Sequence, residues 1–400
     1  MSKKRTFKEM AQVAKETVGS KKLKTSAATS KATKGQQDAE EEKVEQEATP
    51  INSMRNMPLV KLEEGLKHRV ILWFRNDLRI HDNAVLNWAI NQKVKEKEFL
   101  PLYCFDPRFF NKSEPKFKMT RKTGIIRTRF QLETVREFRK NLENLGSQLL
   151  VAHDKPENLV KDLIEPGSKH TVVYQAEICK EELDVEKAFK AEMEAKGVDY
   201  QFVPIWNSTL HHIDDLPYDP AEYFPHVYGN MRKKQSNIKV RSLLSSPKEG
   251  DLPSPKSQSE AAKSATKFMP DLKTHFKFSE EEIAATEKQD PRICYKFKGG
   301  ESEGLKRLES YCKSAVKHYD STRNNLIGAN YSSKLSPWLA NGSLSIRQVF
   351  KTVSAMPQNT STGVFIDELF WRDFNRYWCM KNGNKIFSKY GIYNRKYYNW

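Results

Sequence analysis

Cysteine is scarce in this 400-residue chain: Cys104, Cys179, Cys294, Cys312 and Cys379 make five, an odd number with no short paired spacing. That pattern argues against a disulfide framework and against a zinc site, and it makes a reducing compartment the default. No apolar run approaches the length that spans a bilayer and no signal-peptide core is present, so the expectation is a soluble, non-secreted chain with no membrane partner. A glycine-rich phosphate loop is missing after the apolar run Val70–Phe74, which leaves a dinucleotide site there without support. Aromatics are nearly absent from residues 1–68, where Lys, Glu, Ala, Ser, Thr and Gln dominate. Such a composition cannot bury enough apolar surface to offset chain entropy, so a disordered charged tail is expected there. Its basic part "SKKRTFKEMAQVAKETVGSKKLK" gives way to the acidic "DAEEEKVEQE", and charge blocks of this kind make solvated interaction arms.

What is present is positive charge and concentrated apolar sequence. A formal charge of +17 and a pI near 9.4 favour polyanionic partners, nucleic acid foremost, although a merely sticky basic tail has the same signature. From residue 69 strand and helix alternate. Val70–Phe74 is followed by helically spaced Val85, Leu86, Ala89 and Ile90, then by the strand "FLPLYCFD", a long amphipathic helix ending at Gly146 with a strand after it, and the strand "KHTVVYQAE" before the helix "KEELDVEKAFKAEMEAKG". This predicts a Rossmann-like, doubly wound parallel sheet over 69–231, with ligands beyond the carboxyl ends of its strands. Residues 232–295 carry the Pro, Ser and Lys mixture of an exposed connection. Over 296–400 the periodicity is helical, in "SLSIRQVFKTVSAM" and "GVFIDELFWRDFNRYWCMKN", so an all-helical domain follows the α/β one.

Two clusters could carry chemistry. In "YDSTRNNLIGANYSSKLSPWLANGSLS", Tyr319 and Arg323 are four apart, and Ser332, Ser333, Lys334 and Ser336 lie at the start of a proline-begun helix. The amides and hydroxyls there suit a phosphate, or they are an N-capping serine pair beside a loop lysine. In "ELFWRDFNRYW", Glu368, Trp371, Arg372 and Asn375 form one helical stripe, and Phe370, Phe374, Tyr377 and Trp378 form another that reads as core. The first stripe is either a surface salt bridge beside a half-buried tryptophan or a cavity wall with a ring for stacking, a carboxylate and a guanidinium.

The order of motifs narrows this choice. "VILWFRNDLRIHDN", "LHHIDDLPYDPAEYFPHVYGNMRKK", "GGESEGLKRL", "YDSTRNNLIGANYSSKLSPWLANGSLSIR" and "DELFWRDFNRYW" together resemble the photolyase/cryptochrome family, and more narrowly its cryptochrome DASH branch, over residues 69–400. The resemblance implies an antenna-carrying α/β domain and a helical domain that binds FAD facing a cavity for a flipped-out pyrimidine dimer. Tyr319, Ser332, Ser333, Lys334, Leu335 and Ser336 would line the FAD phosphates and ribityl chain, joined by Arg372. Arg323, Glu368 and Trp371 would face the dimer, with Asn375 at the edge. Light-driven electron donation from reduced FAD would split the dimer, Glu368 bonding its radical anion and Trp371 stacking on it. DNA, by preference single-stranded, is the partner this implies, and a monomer is expected.

Methenyltetrahydrofolate is the antenna the resemblance suggests, with Glu177 as its contact, although Cys179 and Lys180 depart from the residues some photolyases place there. Family members continue beyond "KYYNW" with an Asp-rich flavin-contacting motif and most electron-transfer tryptophans. The helical FAD domain is therefore expected to be incomplete over 296–400, with Trp400 as the first of that relay or as a core residue. Competing functions are a DASH-type repair enzyme, impaired if naturally shortened, a non-enzymatic blue-light receptor or regulator, and a plain nucleic-acid-binding protein on a degenerate fold. "KKR" and "KKLK" in the tail read as a nuclear signal, which sets a nuclear or cytoplasmic location against an organelle transit segment.

Overall fold

The computed structural model describes residues 62–93, 97–111, 121–254, 260–288, 290 and 292–396. Most of the tail expected over 1–68, and Trp400, lie outside the described residues; residues 62–68 already belong to the fold, with Leu62 buried and His68 opening the first strand. Five strands, β1 His68–Phe74, β2 Lys97–Cys104, β3 Leu150–Ala152, β4 Lys169–Gln175 and β5 Tyr200–Ile205, form one sheet in the order β3-β2-β1-β4-β5. Every pairing is parallel. The helices that position the rest are α1 Ala84–Ile90, α2 Ile125–Glu143, α3 Lys180–Ala195, α4 Tyr228–Lys234, α5 Glu260–Lys267, α6 Glu301–Ser314, α7 Ile346–Ser354 and α8 Thr360–Asn382.

β1 is central and wholly buried because its apolar run serves both faces of the sheet. Val70, Leu72 and Phe74 pack towards Leu132, Val135 and Phe138 of α2, whereas Ile71 and Trp73 pack towards Val185, Phe189 and Met193 of α3. The alternation is the strand's own period of two, and each face receives helices as crossovers demand. β5 escaped the sequence reading. It is the outer strand, it contains Pro204, and proline is tolerated only where one side of a strand is free of ladder bonds.

A second core gathers Leu308, Tyr311 and Cys312 of α6, Val349 and Val353 of α7, and Phe365, Phe370, Phe374 and Tyr377 of α8. Trp206, Leu210, Phe224 and Met231, which the sequence groups with the α/β half, bury their side chains in this helical core. Conversely, Leu252, Phe276 and Phe278, within the stretch read as an exposed connection, are buried against the sheet. Isolated apolar residues in a Pro- and Lys-rich text do not announce which layer will take them.

The two layers are joined through the loop after β1. Arg347 binds buried Asp82 through two nitrogens, Nε at 3.0 Å, and Ser345 also donates to that carboxylate. Arg79 donates to the Gly342 carbonyl at 2.8 Å, and Glu301 at the start of α6 accepts from the backbone N–H groups of Ile80, at 2.7 Å, and His81, at 3.0 Å. Gly342 has φ +69°, and a β-carbon there would fall 1.9 Å from the Asn76 carbonyl oxygen, so the joint requires glycine.

Candidate functional site

The long helix α8 begins at Asn359, whose side chain accepts from the Thr362 N–H while its own N–H donates back to the Thr362 hydroxyl, each at 2.9 Å. It ends at Gly383, at φ +51°. Phe370, Phe374 and Tyr377 point into the helical core, and Trp378, half-buried, stacks on Phe374 at 5.7 Å. The stripe predicted from "ELFWRDFNRYW" divides. Glu368 is half-exposed, Trp371 is 41% exposed and Asn375 is exposed, but Arg372 turns inward and donates to the carbonyls of Ser208 and Leu339. Each residue advances about 100° around a helix, so Trp371 and Arg372 fall on opposite sides of Glu368. Burial first, then repulsion from Arg376, draws the Arg372 guanidinium down to about 10.

Glu368 is paired with Arg323, which follows the short helix Tyr319–Thr322. Tyr319, four residues before Arg323, is mostly core: it is buried and meets the Phe365 ring edge-on at 5.1 Å. Trp371 lies flat against Tyr228 of α4, ring centres 3.8 Å apart and planes within 7°. The Tyr228 hydroxyl donates to Asp367 at 2.5 Å, Arg232 Nε donates to the same carboxylate at 3.1 Å, and the Arg232 guanidinium covers Phe370 at 3.5 Å. Sequence reasoning missed Tyr228, Asp367 and Arg232. The only hint was an aromatic residue followed by basic ones in "HVYGNMRKK", and nothing local says that it meets α8.

The hydroxyl-rich loop is held from behind. Arg307 of α6, buried and unremarked in the sequence, donates to the carbonyls of Ala329 at 2.7 Å, Ser333 at 2.8 Å and Ser332 at 3.2 Å, and to the Asn330 side chain at 3.0 Å. Lys334 sits at φ +58° and Leu335 is buried. Among the described residues the Ser332 and Ser336 hydroxyls and the Lys334 ammonium have no hydrogen-bond or ion-pair partner, while the Ser333 hydroxyl only accepts a long bond, 3.4 Å, from the Leu335 N–H. A loop whose carbonyls are fixed and whose donors are unspent matches an anionic, hydroxyl-bearing group. Ser336 stands apart from the others: it lines a different cavity.

That cavity, of about 1040 Å³, opens at the carboxyl ends of β1 and β2 and is lined by Trp73, Asn76, Tyr103, Phe109 and Gln131, with Ser336 and Asn341 across from them. This is where a doubly wound sheet admits ligands. Glu182, also in its wall, is pushed up by burial and by the neighbouring Glu177 charge. Glu177 itself is spent inside the protein: its carboxylate accepts from Asn76 at 3.1 Å and from Arg376 at 3.0 Å. Burial opposes its ionisation, but Arg376, Arg75 and the Asn76 bond outweigh that and hold it below the ordinary carboxylate value.

Comparison with known proteins gives this geometry a family. A family model described as DNA photolyase matches residues 70–249. The chain is 37% identical over 331 residues to a cryptochrome DASH of Xenopus laevis, covering 81% of this chain and 59% of that protein. It is 34% identical to a cryptochrome DASH of Synechocystis, covering 82% and 64%, and 34% identical to the blue-light photoreceptor PHR2 of Arabidopsis thaliana, covering 78% and 70%. Among solved structures, a Synechocystis cryptochrome superposes with a TM-score of 0.71 at 33% identity, over 84% of this chain and 66% of that one. The chain thus spans 59% and 64% of the length of these two cryptochrome DASH relatives. The chain belongs to the photolyase/cryptochrome family, and its kinship lies with the cryptochrome DASH branch.

Proposed function

We propose that this chain is a DASH-type flavoprotein that binds DNA and repairs cyclobutane pyrimidine dimers in light, mainly in single strands. The observation that carries the reading is the half-exposed Trp371 backed flat by Tyr228, beside the half-exposed Glu368–Arg323 pair. A stacking ring with a rigid backing loses little freedom when a base settles on it. Ser332, Ser333 and Lys334 would hold the phosphates and ribityl chain of FAD, with Tyr319 and Leu335 shaping the wall behind them. Their unspent donors fit that group, whereas Arg372 is turned to the Ser208 and Leu339 carbonyls and Ser336 lines the separate cavity. When bound and reduced, FAD supplies an electron to the dimer on excitation. Glu368, in its protonated form, would donate a hydrogen bond where negative charge gathers on the dimer, Trp371 would hold the extruded bases by stacking, and Arg323 would position the Glu368 side chain. Asn375, one turn on from Trp371 and exposed, would meet the flanking strand.

A planar antenna such as methenyltetrahydrofolate would occupy the cavity beyond β1 and β2, with half-buried Glu182 rather than Glu177 as its carboxyl partner. The plant relatives of Solanum lycopersicum and Arabidopsis thaliana are named chloroplastic/mitochondrial, which favours an organelle over the nucleus or cytoplasm for this chain. No helix among the described residues is long and apolar enough to cross a membrane, and we take the active form to be a monomer. The test is direct. The purified chain should carry flavin absorbance and, reduced and illuminated, should remove dimers from an irradiated oligothymidylate; a colourless chain, or flavin without dimer loss, overturns the repair reading. The second outcome would favour a blue-light receptor, the role in the name of the Arabidopsis PHR2 relative.

A further inference from the structure

Two stretches far apart in sequence lack the same thing: no Asp or Glu occurs between Glu222 and Glu249, nor anywhere after Asp373. Both are basic and rich in aromatic residues, and the fold lays them side by side. Tyr228 of α4 lies flat on Trp371 of α8. Tyr393, beyond the end of α8, stacks over His226 with ring centres 6.0 Å apart, and its hydroxyl is hydrogen-bonded to His226 Nδ1 at 2.9 Å. Between these two ends the rings run without a break. Trp371 meets Phe374 at 5.5 Å, Phe374 stacks on Trp378 at 5.7 Å, and Trp378 meets His226 edge-on at 5.3 Å. Trp371 is 41% exposed and Tyr393 56%, so the row surfaces at both ends.

Part of the positive charge is spent inside the protein: Arg376 on Glu177, Arg241 on Asp215 and Arg232 on Asp367. The rest is not. The exposed ammonium groups of Lys233, Lys239 and Lys385 have no hydrogen-bond or ion-pair partner among the described residues, and those of Lys234 and Lys389 only lie over the rings of Tyr223 and Tyr390. The bordering acids are occupied, Asp367 by Tyr228 and Arg232, Glu368 by Arg323. Glu222 stands at the margin, where its backbone carbonyl accepts from Lys381.

We propose, resting on the reading of Trp371 as the ring that receives a base, that this surface is a second platform for single-stranded nucleic acid. It carries the strand that leaves Trp371 across α4 and the end of α8 to Tyr393. Unpaired bases offer faces on which Tyr393 can stack, and their phosphates answer the free ammonium groups. A duplex keeps its bases stacked inside and can use only the charge. The combination of an exposed row of rings with unneutralised lysines is what selects a single strand.

The test needs no light, flavin or damage. Fluorescence polarisation of an undamaged oligothymidylate of about sixteen nucleotides, and of a duplex of equal length, is measured over a range of salt with the full chain. The variants are Tyr393→Ala, Tyr393→Phe, Trp371→Ala and the Lys385→Ala, Lys389→Ala double variant; the basic tail is common to all. Tyr393→Ala should weaken single-strand binding roughly tenfold and duplex binding less than about twofold, and Tyr393→Phe, which keeps the ring, should bind as wild type does. The lysine variant should lower the slope of log affinity against log salt by about 1.4. Equal single-strand affinity of wild type and Tyr393→Ala overturns the proposal, as does an equal loss on the duplex. Where Trp371→Ala weakens binding and Tyr393→Ala does not, the second platform alone fails; where neither does, the stacking reading of Trp371 fails with it. Thermal unfolding controls for folding. Should Tyr393→Ala be unstable, the lysine variant, which touches only exposed side chains, still decides: an unchanged salt slope overturns the proposal.

Discussion

The sheet layer and the helical layer bury their apolar residues with unequal thoroughness. β1 is sealed on both faces, and Phe74, Phe99 and Phe105 are wholly buried. In the helical layer Leu326 is 88% and Ile327 85% exposed, and Trp371, Tyr223 and Val227 also meet solvent. The sheet layer exposes Leu66 and Ile126 as well, but most of the large exposed apolar side chains lie in the helical layer, and such a grouping marks a surface made for contact. They accompany Glu368, Arg323 and Trp371, so the layer that closes its core least is the one that carries the candidate chemistry. The sheet serves as the scaffold against which that layer is held.

That contrast can be broken most severely at the joint. Gly342→Val would drive a side chain into the Asn76 carbonyl, and no shift of a flexible group relieves it. The expected loss is on the order of 4 kcal/mol or more, with both layers melting together in a chemical denaturation curve. Asp82→Ala leaves Arg347 buried without its carboxylate and should cost about 3–5 kcal/mol in the same measurement. A smaller loss would mean that the layers are not coupled through this pair.

Asp373 sharpens the comparison, because it sits wholly buried inside α8 and accepts from the N–H groups of Leu210, at 2.9 Å, and His211, at 3.0 Å. Asp373→Asn keeps one acceptor and strands one donor, an expected cost of roughly 1–3 kcal/mol. Burial pushes the Asp373 carboxyl up to about 7, against the pull of those two bonds. A folded-state value above the unfolded one means that the native state holds the proton more tightly. Its contribution is full below the unfolded value near 3.8 and is lost as pH rises towards 7, by on the order of a few kcal/mol at most. Wild-type stability should therefore fall from pH 4 to pH 7 relative to the Asn variant, and parallel pH profiles would contradict this. Leu326→Ser, on the open face, should change stability by only about 0.5 kcal/mol or less, whereas a truncation such as Ile71→Ala in β1 should cost roughly 2–5 kcal/mol.

Much of the sheet layer was legible because its signals are local. Val70–Phe74, a short unbroken apolar run, read as a strand, and the alternation with α2 and α3 implied parallel pairing. β5 was not legible, since Pro204 speaks against a strand until its place at the sheet edge is known. In the helical layer the two faces of α8 were visible in the spacing, but the inward turn of Arg372 depended on carbonyls offered by Ser208 and Leu339. Arg307, Tyr228 and Asp367 were invisible for the same reason. Their roles are set by partners distant in sequence, and no period of 2 or 3.6 encodes those.

The account turns on whether the open face receives a base on Trp371. Fluorescence polarisation of an irradiated single-stranded oligothymidylate against the purified chain and its Trp371→Ala variant measures this, with thermal unfolding of both as the control for folding. The account predicts binding weakened roughly tenfold to a hundredfold with little change in unfolding temperature. Equal affinity of the two proteins for the damaged strand would contradict it.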